Sequence, residues 1–217
     1  MKTALIFGSS GLVGKNLLNQ IINNSNYSKI KIFVRSSLEI SDQKVEIINT
    51  DFKDLQKIKN LIIGDDCFFC IGTTKKNSPD KNEYRRVELD LPKKIAQISK
   101  SNDIKSFIYV SSGFADPKNS GDYLKFKGLV EEEIKSLNFE KIGILRPSFL
   151  LGKRKEKRLG EKIGISIFKF LSPLFVGPIK KMKPIHSEKV AKAMIQIANE
   201  NIQQIIFESN EISDLVR

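Results

Sequence analysis

The sequence contains no tryptophan, one histidine and two cysteines among its 217 residues. Cys67 and Cys70 have the C-x-x-C spacing of redox and metal sites, but no second cysteine pair accompanies them, and the one histidine is His186. They fall in an apolar run typical of a buried strand, on which residues three apart point to opposite faces. We therefore expect no metal and no disulfide, and we interpret both cysteines as packing residues in a reducing compartment. His186 is either a substrate contact or a structural histidine.

Long hydrophobic runs are also missing. The longest apolar segment, 163–178, is interrupted by Lys169 and Pro173 and falls short of the roughly 20 residues of a membrane helix. Residues 1–7 are too few for the apolar region of a signal peptide. These absences predict a cytoplasmic protein without a membrane contact, and no linker or internal repeat divides residues 1–217 into separate domains.

Acidic residues are outnumbered, with 25 Asp and Glu against 37 Lys and Arg and a net charge of +12. Such a balance favours anionic partners: nucleic acid, a membrane surface or a phosphorylated small molecule. The basic run 153–158 is either a solvated loop, a clamp on a cofactor phosphate or anionic substrate, or a nucleic-acid patch. No recognised nucleic-acid motif supports the last alternative, so we do not expect nucleic acid as a partner.

A glycine-rich turn follows the first predicted strand. The apolar residues 3–7 lead into Gly8, Gly11 and Gly14, and apolar residues then repeat at helical spacing over 15–22. Between a strand and a helix, this G-x-x-G-x-x-G spacing indicates a dinucleotide site, because the glycines allow a tight turn, close approach of a pyrophosphate and close helix packing. The N–H groups at the start of the helix would face the phosphates. The alternative is an ordinary turn between a strand and a helix.

The ends of the second and third predicted strands bear on the choice of dinucleotide. In NAD-specific folds an acidic residue about 20 positions beyond the glycine turn holds the ribose 2′-hydroxyl. Here strand 29–35 ends in Arg35, whose planar fork can pair with a 2′-phosphate, so we predict NADP rather than NAD. Alternatively, Arg35 only caps a strand edge. After strand 45–48, Asp51 either accepts from the adenine amino group or is the N-cap of a helix through Ile58.

The fourth predicted strand, 67–71, ends in the hydroxyl-bearing turn 72–74. Because ligands bind at the carboxyl ends of parallel strands, this turn should line the cofactor beside its ribose and nicotinamide. A long helix follows over 84–100, with a kink or exposed turn at Pro92. Strands that alternate with helices predict an α/β protein with a doubly wound parallel sheet, the Rossmann fold.

A serine, a tyrosine and a lysine follow the fifth predicted strand, 106–110. Ser111 and Ser112 come directly after it, and Tyr123 and Lys127 share one face of the next helix. An ammonium beside a tyrosine favours the phenolate form, which suits proton transfer. A serine hydroxyl would hold the substrate carbonyl oxygen, and Lys127 would also reach the nicotinamide ribose. This predicts hydride transfer between a nicotinamide and a small carbonyl or alcohol, although Y-x-x-x-K also occurs by chance in helices.

The remaining chain is predicted to cover the substrate side. Strand six and its exit span 142–152, where the nicotinamide amide should sit. Residues 153–217 form a small helical appendage on that side, with an apolar helix at 163–171 over the cleft and an amphipathic helix at 190–198.

Taken together, the glycine turn, Ser111–Ser112 and the pair Tyr123 and Lys127 resemble the short-chain dehydrogenase/reductase superfamily. More narrowly, five stretches are similar to the Tat-interacting-protein oxidoreductase subgroup of its atypical members: 70–74, 84–90, 123–131, 145–151 and the R-x-E-x-R run within 154–161. The resemblance covers nearly the whole chain.

The resemblance implies an NADPH-dependent oxidoreductase in which Tyr123 transfers the proton and Ser112 or Ser111 orients the substrate oxygen. The expected cofactor-binding residues are Gly8, Ser9, Ser10, Gly11, Leu12, Val13, Arg35, Asp51, Phe52, Ile71, Gly72, Thr73, Tyr123, Lys127, Leu150 and Arg158. A monomer or homodimer is expected. A protein partner stays open, because the alternative function is a non-catalytic NADPH-binding sensor or interaction module.

Overall fold

The computed structural model describes residues 1–36, 38–152 and 181–217. Its strands are β1 (Lys2–Phe7), β2 (Tyr27–Val34), β3 (Val45–Asn49), β4 (Asp66–Phe69), β5 (Ser106–Val110), β6 (Lys141–Arg146), β7 (Leu150–Leu151), β8 (Ile185–His186) and β9 (Ile206–Glu208). Its helices are α1 (Leu12–Ile22), α2 (Gln56–Lys59), α3 (Lys81–Arg85), α4 (Leu91–Ser101), α5 (Asp122–Ser136), α6 (Ser187–Asn199) and α7 (Ser209–Leu215), and a π-helical segment (Arg86–Asp90) joins α3 to α4.

A seven-stranded parallel sheet in the order β3-β2-β1-β4-β5-β6-β9 organises these elements. The strand order reverses direction between β1 and β4, which makes that junction the topological switch point. Phe7 pairs in register with Phe33 on one side and with Phe69 on the other. The turn after β1 therefore lies between the ends of β2 and β4 at one edge. The predicted Rossmann fold is confirmed.

Apolar side chains cover both faces of the sheet, as expected for parallel strands buried on both sides. One cluster includes Leu17 of α1 and Met194 of α6, and the other includes Ile95 of α4. Cys67 belongs to the second cluster, whereas Cys70 packs against the first and lies 3.9 Å from the Met194 sulfur. The two cysteines are free and face opposite sides of the sheet, as the strand pattern predicts.

The predicted helix 84–100 is divided by the π-helical segment. The Leu91 N–H donates to the carbonyl of Arg86, five residues back rather than four. Pro92 has no N–H to donate to the carbonyl of Glu88, and in a regular helix its ring would collide with that carbonyl. The wider turn accommodates this proline, and the alternative of an exposed turn is wrong, because Pro92 is buried.

The predicted C-terminal appendage is described in part. Within 181–217, α6 packs against α1, and β9 pairs with β6 as the seventh strand of the sheet. The basic run 153–158, the predicted helix 163–171 and Arg158 lie outside the described residues. Among the described ranges, no helix combines the length and apolar character needed to span a bilayer.

A buried carboxylate joins the elements at the amino edge of the sheet. Asp66 accepts hydrogen bonds from the Tyr27 hydroxyl at 2.6 Å and the Ser106 hydroxyl at 2.5 Å. Lys2 Nζ lies 3.0 Å from the same carboxylate and donates to the carbonyl of Ala198 at 2.9 Å. Four strands and the last turn of α6 are thereby held together at the edge opposite the glycine turn.

Candidate active site

The glycine turn between β1 and α1 requires two of its glycines for steric reasons. Gly8 has φ +92°, and a Cβ there would lie 2.8 Å from the carbonyl carbon of Cys70. A Cβ at Gly14 would lie 2.1 Å from the Gly8 carbonyl oxygen, because α1 passes directly over the turn. The sequence prediction assigned the same roles to these two positions.

The turn fits the pyrophosphate of a dinucleotide. Gly11 is the exposed N-cap of α1 and no side chain hydrogen-bonds at the cap, so the first N–H groups of the helix remain available. The hydroxyl of Ser9 is buried without a hydrogen-bond partner among the described residues, while Ser10 is exposed. Leu12 is half-buried and Val13 lies in the core. The turn thus offers backbone donors, hydroxyl groups and no side chain at Gly11.

Arg35 and Asp51 follow neighbouring strands at the same edge. Arg35 comes directly after β2 and is exposed. Asp51 is also exposed, and its carboxylate accepts from the N–H of Lys53 at 2.9 Å. The expectation that Asp51 caps a helix through Ile58 is wrong, because α2 begins at Gln56 and its preceding turn is bonded by another aspartate. The adenine contact of Asp51 stays a prediction.

Phe52 anchors the loop after β3 to the hydrophobic core. Its backbone has φ +59°, its ring is buried, and the ring centroid lies 6.3 Å from that of Phe7. Its carbonyl accepts from the guanidinium of Arg86 at 3.0 Å. Phe52 therefore fixes the loop after β3 by packing, which places Asp51 on the solvent side.

The turn after β4 lies over a buried carboxylate. Thr73 donates its N–H to Glu88 Oε1 at 2.5 Å, and its hydroxyl lies 2.9 Å from the hydroxyl of Ser78. A Cβ at Gly72 would lie 3.4 Å from the same Oε1 and 4.0 Å from Lys127 Nζ. Ile71 is half-buried against the core. The predicted cofactor turn and the predicted lysine therefore meet at Glu88.

Tyr123 and Lys127 lie on one face of α5, as predicted. Lys127 Nζ is 5.8 Å from the centroid of the Tyr123 ring and 5.0 Å from that of Tyr109 on β5. It is 3.1 Å from Glu88 Oε2, and both of these side chains are buried. Tyr123 is 38% exposed. The pair thus has a buried charged end and a phenol that faces solvent.

Burial and charge act in opposite directions on these groups. Burial alone would lower the pKa of Lys127, but the Glu88 carboxylate together with Tyr109 and Tyr123 outweighs burial, so the pKa lies well above the ordinary lysine value. Burial raises the pKa of Tyr109, and burial together with Glu88 raises the pKa of Tyr84 to about 12. At neutral pH the lysine is therefore an ammonium, and the two buried tyrosines keep their protons.

The two candidate serines have different environments. Ser111 is buried and donates its hydroxyl to Glu131, and Arg146 binds this carboxylate through Nε at 3.0 Å and Nη2 at 2.5 Å. Ser112 is half-buried, and its hydroxyl makes a 3.3 Å contact with the carbonyl of Gly113. The hydroxyl of Ser111 therefore belongs to the hydrogen-bond network that links α5 to β6, whereas the hydroxyl of Ser112 takes no part in that network.

Gly128 lets the loop after Ser112 lie on α5. A Cβ at Gly128 would lie 2.3 Å from the backbone nitrogen of Pro117 and 2.4 Å from the carbonyl carbon of Asp116. The N–H of Asp116 also donates to the carbonyl of Leu124 at 3.1 Å. The loop that carries the serine is therefore held against the helix that carries the tyrosine and the lysine.

Two other predicted residues lie on a separate two-stranded sheet. Leu150 is half-buried in β7, which pairs in parallel with β8, and His186 on β8 is exposed. Sequence reasoning missed Glu88 and Glu131. The sequence feature that could have identified Glu88 is its position beside the apolar stripe of the long helix, four residues before Pro92.

Comparison with known proteins agrees with this geometry. The sequence model of the NAD(P)H-binding family matches residues 8–201. Protein HTATIP2 of Rattus norvegicus is 33% identical over 171 residues, covering 77% of this chain and 70% of that protein. Protein FMP52, mitochondrial, of Debaryomyces hansenii is 30% identical over 206 residues, covering 93% and 90%.

Solved structures show the fold alone at their level of identity. The Bordetella bronchiseptica enzyme WbmH in complex with NAD+ has a TM-score of 0.73 and 14% identity, covering 96% of this chain and 75% of that one. The relatives also correct one expectation, because FMP52 proteins from several fungi are named mitochondrial, which overturns the prediction of a cytoplasmic location. Together, the family match and the two relatives show that this chain belongs to the NAD(P)H-binding family and, as its motifs predict, to the atypical short-chain dehydrogenase/reductases.

Proposed function

We propose that this protein is an NADP(H)-dependent oxidoreductase that interconverts a small carbonyl compound and its alcohol. The observation that carries the proposal is the pair of Tyr123 and Lys127 on α5, with a buried ammonium behind a solvent-facing phenol. Ser112 precedes this helix on a loop packed against it, and the glycine turn lies at the same edge of the sheet.

The dinucleotide would be held by groups that follow three adjacent strands. The N–H groups at the start of α1 bind the pyrophosphate, and the turn with Gly72 and Thr73 lines the nicotinamide ribose. Arg35 after β2 pairs with the 2′-phosphate. When bound, the nicotinamide supplies or accepts the hydride.

The side chains of this chain handle the proton. In reduction, Tyr123 donates its hydroxyl proton to the carbonyl oxygen as that oxygen becomes an alcohol, and Ser112 donates a hydrogen bond to the same oxygen. The phenolate left behind is stabilised by the Lys127 ammonium. In oxidation the phenolate removes the alcohol proton, so the same three residues serve both directions.

Discrimination between the two dinucleotides tests the role of Arg35. We expect tighter binding of NADPH than of NADH in fluorescence titrations. Arg35→Asp should weaken NADPH binding by about 10- to 100-fold, because a charge-assisted contact is worth roughly 1.5–3 kcal/mol, and should leave NADH binding unchanged. Arg217→Asp, a matched change at an exposed arginine near the C-terminus, is the control. Equal binding of both dinucleotides, or of neither, refutes the assignment.

Turnover tests the role of Tyr123. A panel of aldehydes and ketones is followed by the loss of NADPH absorbance, and Tyr123→Phe should abolish turnover while NADPH affinity stays within about twofold. A protein that binds NADPH but reduces no carbonyl, and whose Tyr123→Phe variant still binds its protein partners, would instead be the non-catalytic sensor.

A further inference from the structure

Glu88 connects two parts of the candidate active site, and we propose that it is a positioning residue that holds the Lys127 ammonium and the turn at Gly72 and Thr73 in one arrangement. This inference rests on the proposed function, since it gives Glu88 a task in the proton-transfer pair. Oε2 lies 3.1 Å from Lys127 Nζ, and Oε1 accepts from the N–H of Thr73 at 2.5 Å. One oxygen of the carboxylate thus contacts Lys127 on α5, and the other accepts a hydrogen bond from the turn at Thr73.

Because Glu88 and Lys127 are both buried, the protonation state of each depends strongly on the charge of the other. The side chain of Glu88 is 0% exposed and that of Lys127 is 4% exposed. A buried ammonium without a counter-charge tends to lose its proton, and a neutral amine could not stabilise a phenolate at Tyr123. Glu88 is the largest of the influences that raise the pKa of Lys127 against burial, and with Tyr109 and Tyr123 it holds that pKa well above its ordinary value. Glu88 therefore keeps the lysine in its working form.

The backbone shape explains how a carboxylate reaches this place. The π-helical segment, with the Leu91 N–H bonded to the Arg86 carbonyl, precedes Pro92 and packs against α5. Single π-helical turns are frequent at functional sites because they redirect side chains. Here the segment contains Glu88, which is turned toward Lys127.

Other titratable groups face the pair from every side. They are Tyr84 from α3, Tyr109 from β5, Tyr123 from α5 and Cys70 from the end of β4. These tyrosines and the cysteine are neutral in their protonated forms. Among the described residues, Glu88 is the carboxylate in contact with Lys127. Glu88 therefore makes the largest favourable interaction with the ammonium, which makes the proposal testable by one substitution.

The direct test is the titration of Lys127 in a Glu88→Gln variant, followed by NMR of the lysine Cε resonances. The Lys127 signal is identified by its absence from the double variant Glu88→Gln/Lys127→Met. In Glu88→Gln we expect its pKa to fall by roughly two units or more, below the surface lysines, whereas Glu88→Asp should largely retain the native value. Glu133→Gln is the matched control, since Glu133 lies on α5 and pairs with Lys93. An unchanged titration in Glu88→Gln overturns the proposal.

Thermal unfolding keeps the proposal testable if Glu88→Gln folds poorly. Glu88→Gln leaves Lys127 without its counter-ion, so removing the lysine as well should restore part of the lost Tm. A double variant whose loss equals the sum of the two single losses would show that the residues are not coupled, and would overturn the proposal.

Titration of Lys127 requires neither cofactor nor substrate, so the two proposals fail in different ways. A protein that binds NADPH and reduces carbonyls but shows no shift in Glu88→Gln refutes the positioning role alone. A protein that shows the shift but binds no NADPH refutes the proposed function and, with it, the task of Glu88 in proton transfer. In an active enzyme, Glu88→Gln should lower kcat with little change in the KM for the carbonyl, and Glu88→Asp should recover part of it.

Discussion

Replacing Gly128 by alanine sets two known effects against each other. A helical glycine changed to alanine normally stabilises a protein by about 0.5–1 kcal/mol, because the unfolded chain loses freedom. Here the new Cβ would lie 2.3 Å from the nitrogen of Pro117, 2.7 Å from its Cδ and 2.4 Å from the carbonyl carbon of Asp116. These are contacts with backbone and with a ring that cannot turn away. Overpacking of this kind costs roughly 1–3 kcal/mol, and three such contacts place the cost at the upper end.

We therefore expect Gly128→Ala to lower the free energy of unfolding by about 2–2.5 kcal/mol in urea titrations, the propensity gain being subtracted from the clash. The loop must also move away from α5, so carbonyl turnover should fall while NADPH affinity stays close to that of the wild type. Gly121→Ala is the control, because its Cβ would meet the flexible side chain of Asn119 at 3.3 Å. A Gly128→Ala protein that is more stable than the wild type would show that the loop does not press on the helix.

Three further predictions concern serines, the amino edge and alkaline pH. Ser112→Ala should lower kcat by about 10²- to 10³-fold with unchanged stability, whereas Ser111→Ala should lower stability by about 1–3 kcal/mol, as kinetics and urea titrations would show; the reverse pattern would identify Ser111 as the substrate contact. Asp66→Asn should cost about 2–3 kcal/mol in urea titrations, since the amide removes the charge opposite Lys2 and replaces one of the two acceptor oxygens by an NH2 donor, and should not alter NADPH affinity at the opposite edge; equal stability would contradict this. Burial raises the pKa of Cys67 to about 12 and also raises the pKa of Tyr109. The unfolded chain releases these protons from about pH 8.5 for cysteine and about pH 10 for tyrosine, whereas the folded chain holds them to higher pH. Stability is therefore full below about pH 8.5 and falls as pH rises from there toward the folded pKa of Cys67 at about 12; Tyr109→Phe should show a shallower fall in alkaline urea titrations.

Strands β1 to β6 could be predicted well because each carries its own signal. Residues 106–110 are apolar, β-prone and bounded by polar turns, and they coincide with β5. The predicted strand 67–71 extends two residues beyond β4, because Cys70 still donates its N–H to the carbonyl of Phe7 after the regular ladder has ended. The parallel direction of the strands and their common carboxyl edge follow from the alternation of strands and helices. The positions of Gly8 and of Tyr123 relative to this edge were therefore accessible from the sequence.

The partners of the site residues were not accessible, since they depend on which helices pack together. Ser111 and Ser112 are adjacent and chemically identical, and the structure separates them because strand residues alternate between faces and Ser111 meets the carboxylate of Glu131. This carboxylate is itself held by Arg146 at the end of β6, a residue distant in sequence.

Glu88 is a second residue whose partner could not be predicted from the sequence. The sequence predicts a helix over 84–100 with a kink or exposed turn at Pro92, and on a regular helix over these residues Glu88 stands beside the apolar stripe rather than within it. The π-helical segment breaks that period before Pro92, so the residues that precede Leu91 are rotated relative to those that follow. A carboxylate that the pattern assigns to the surface is thereby buried against Lys127. A buried carboxylate needs a partner, and here that partner is the lysine proposed to act in proton transfer. The π-helical segment thus accounts both for the departure from the predicted helix and for the burial of the carboxylate that pairs with the proposed catalytic lysine.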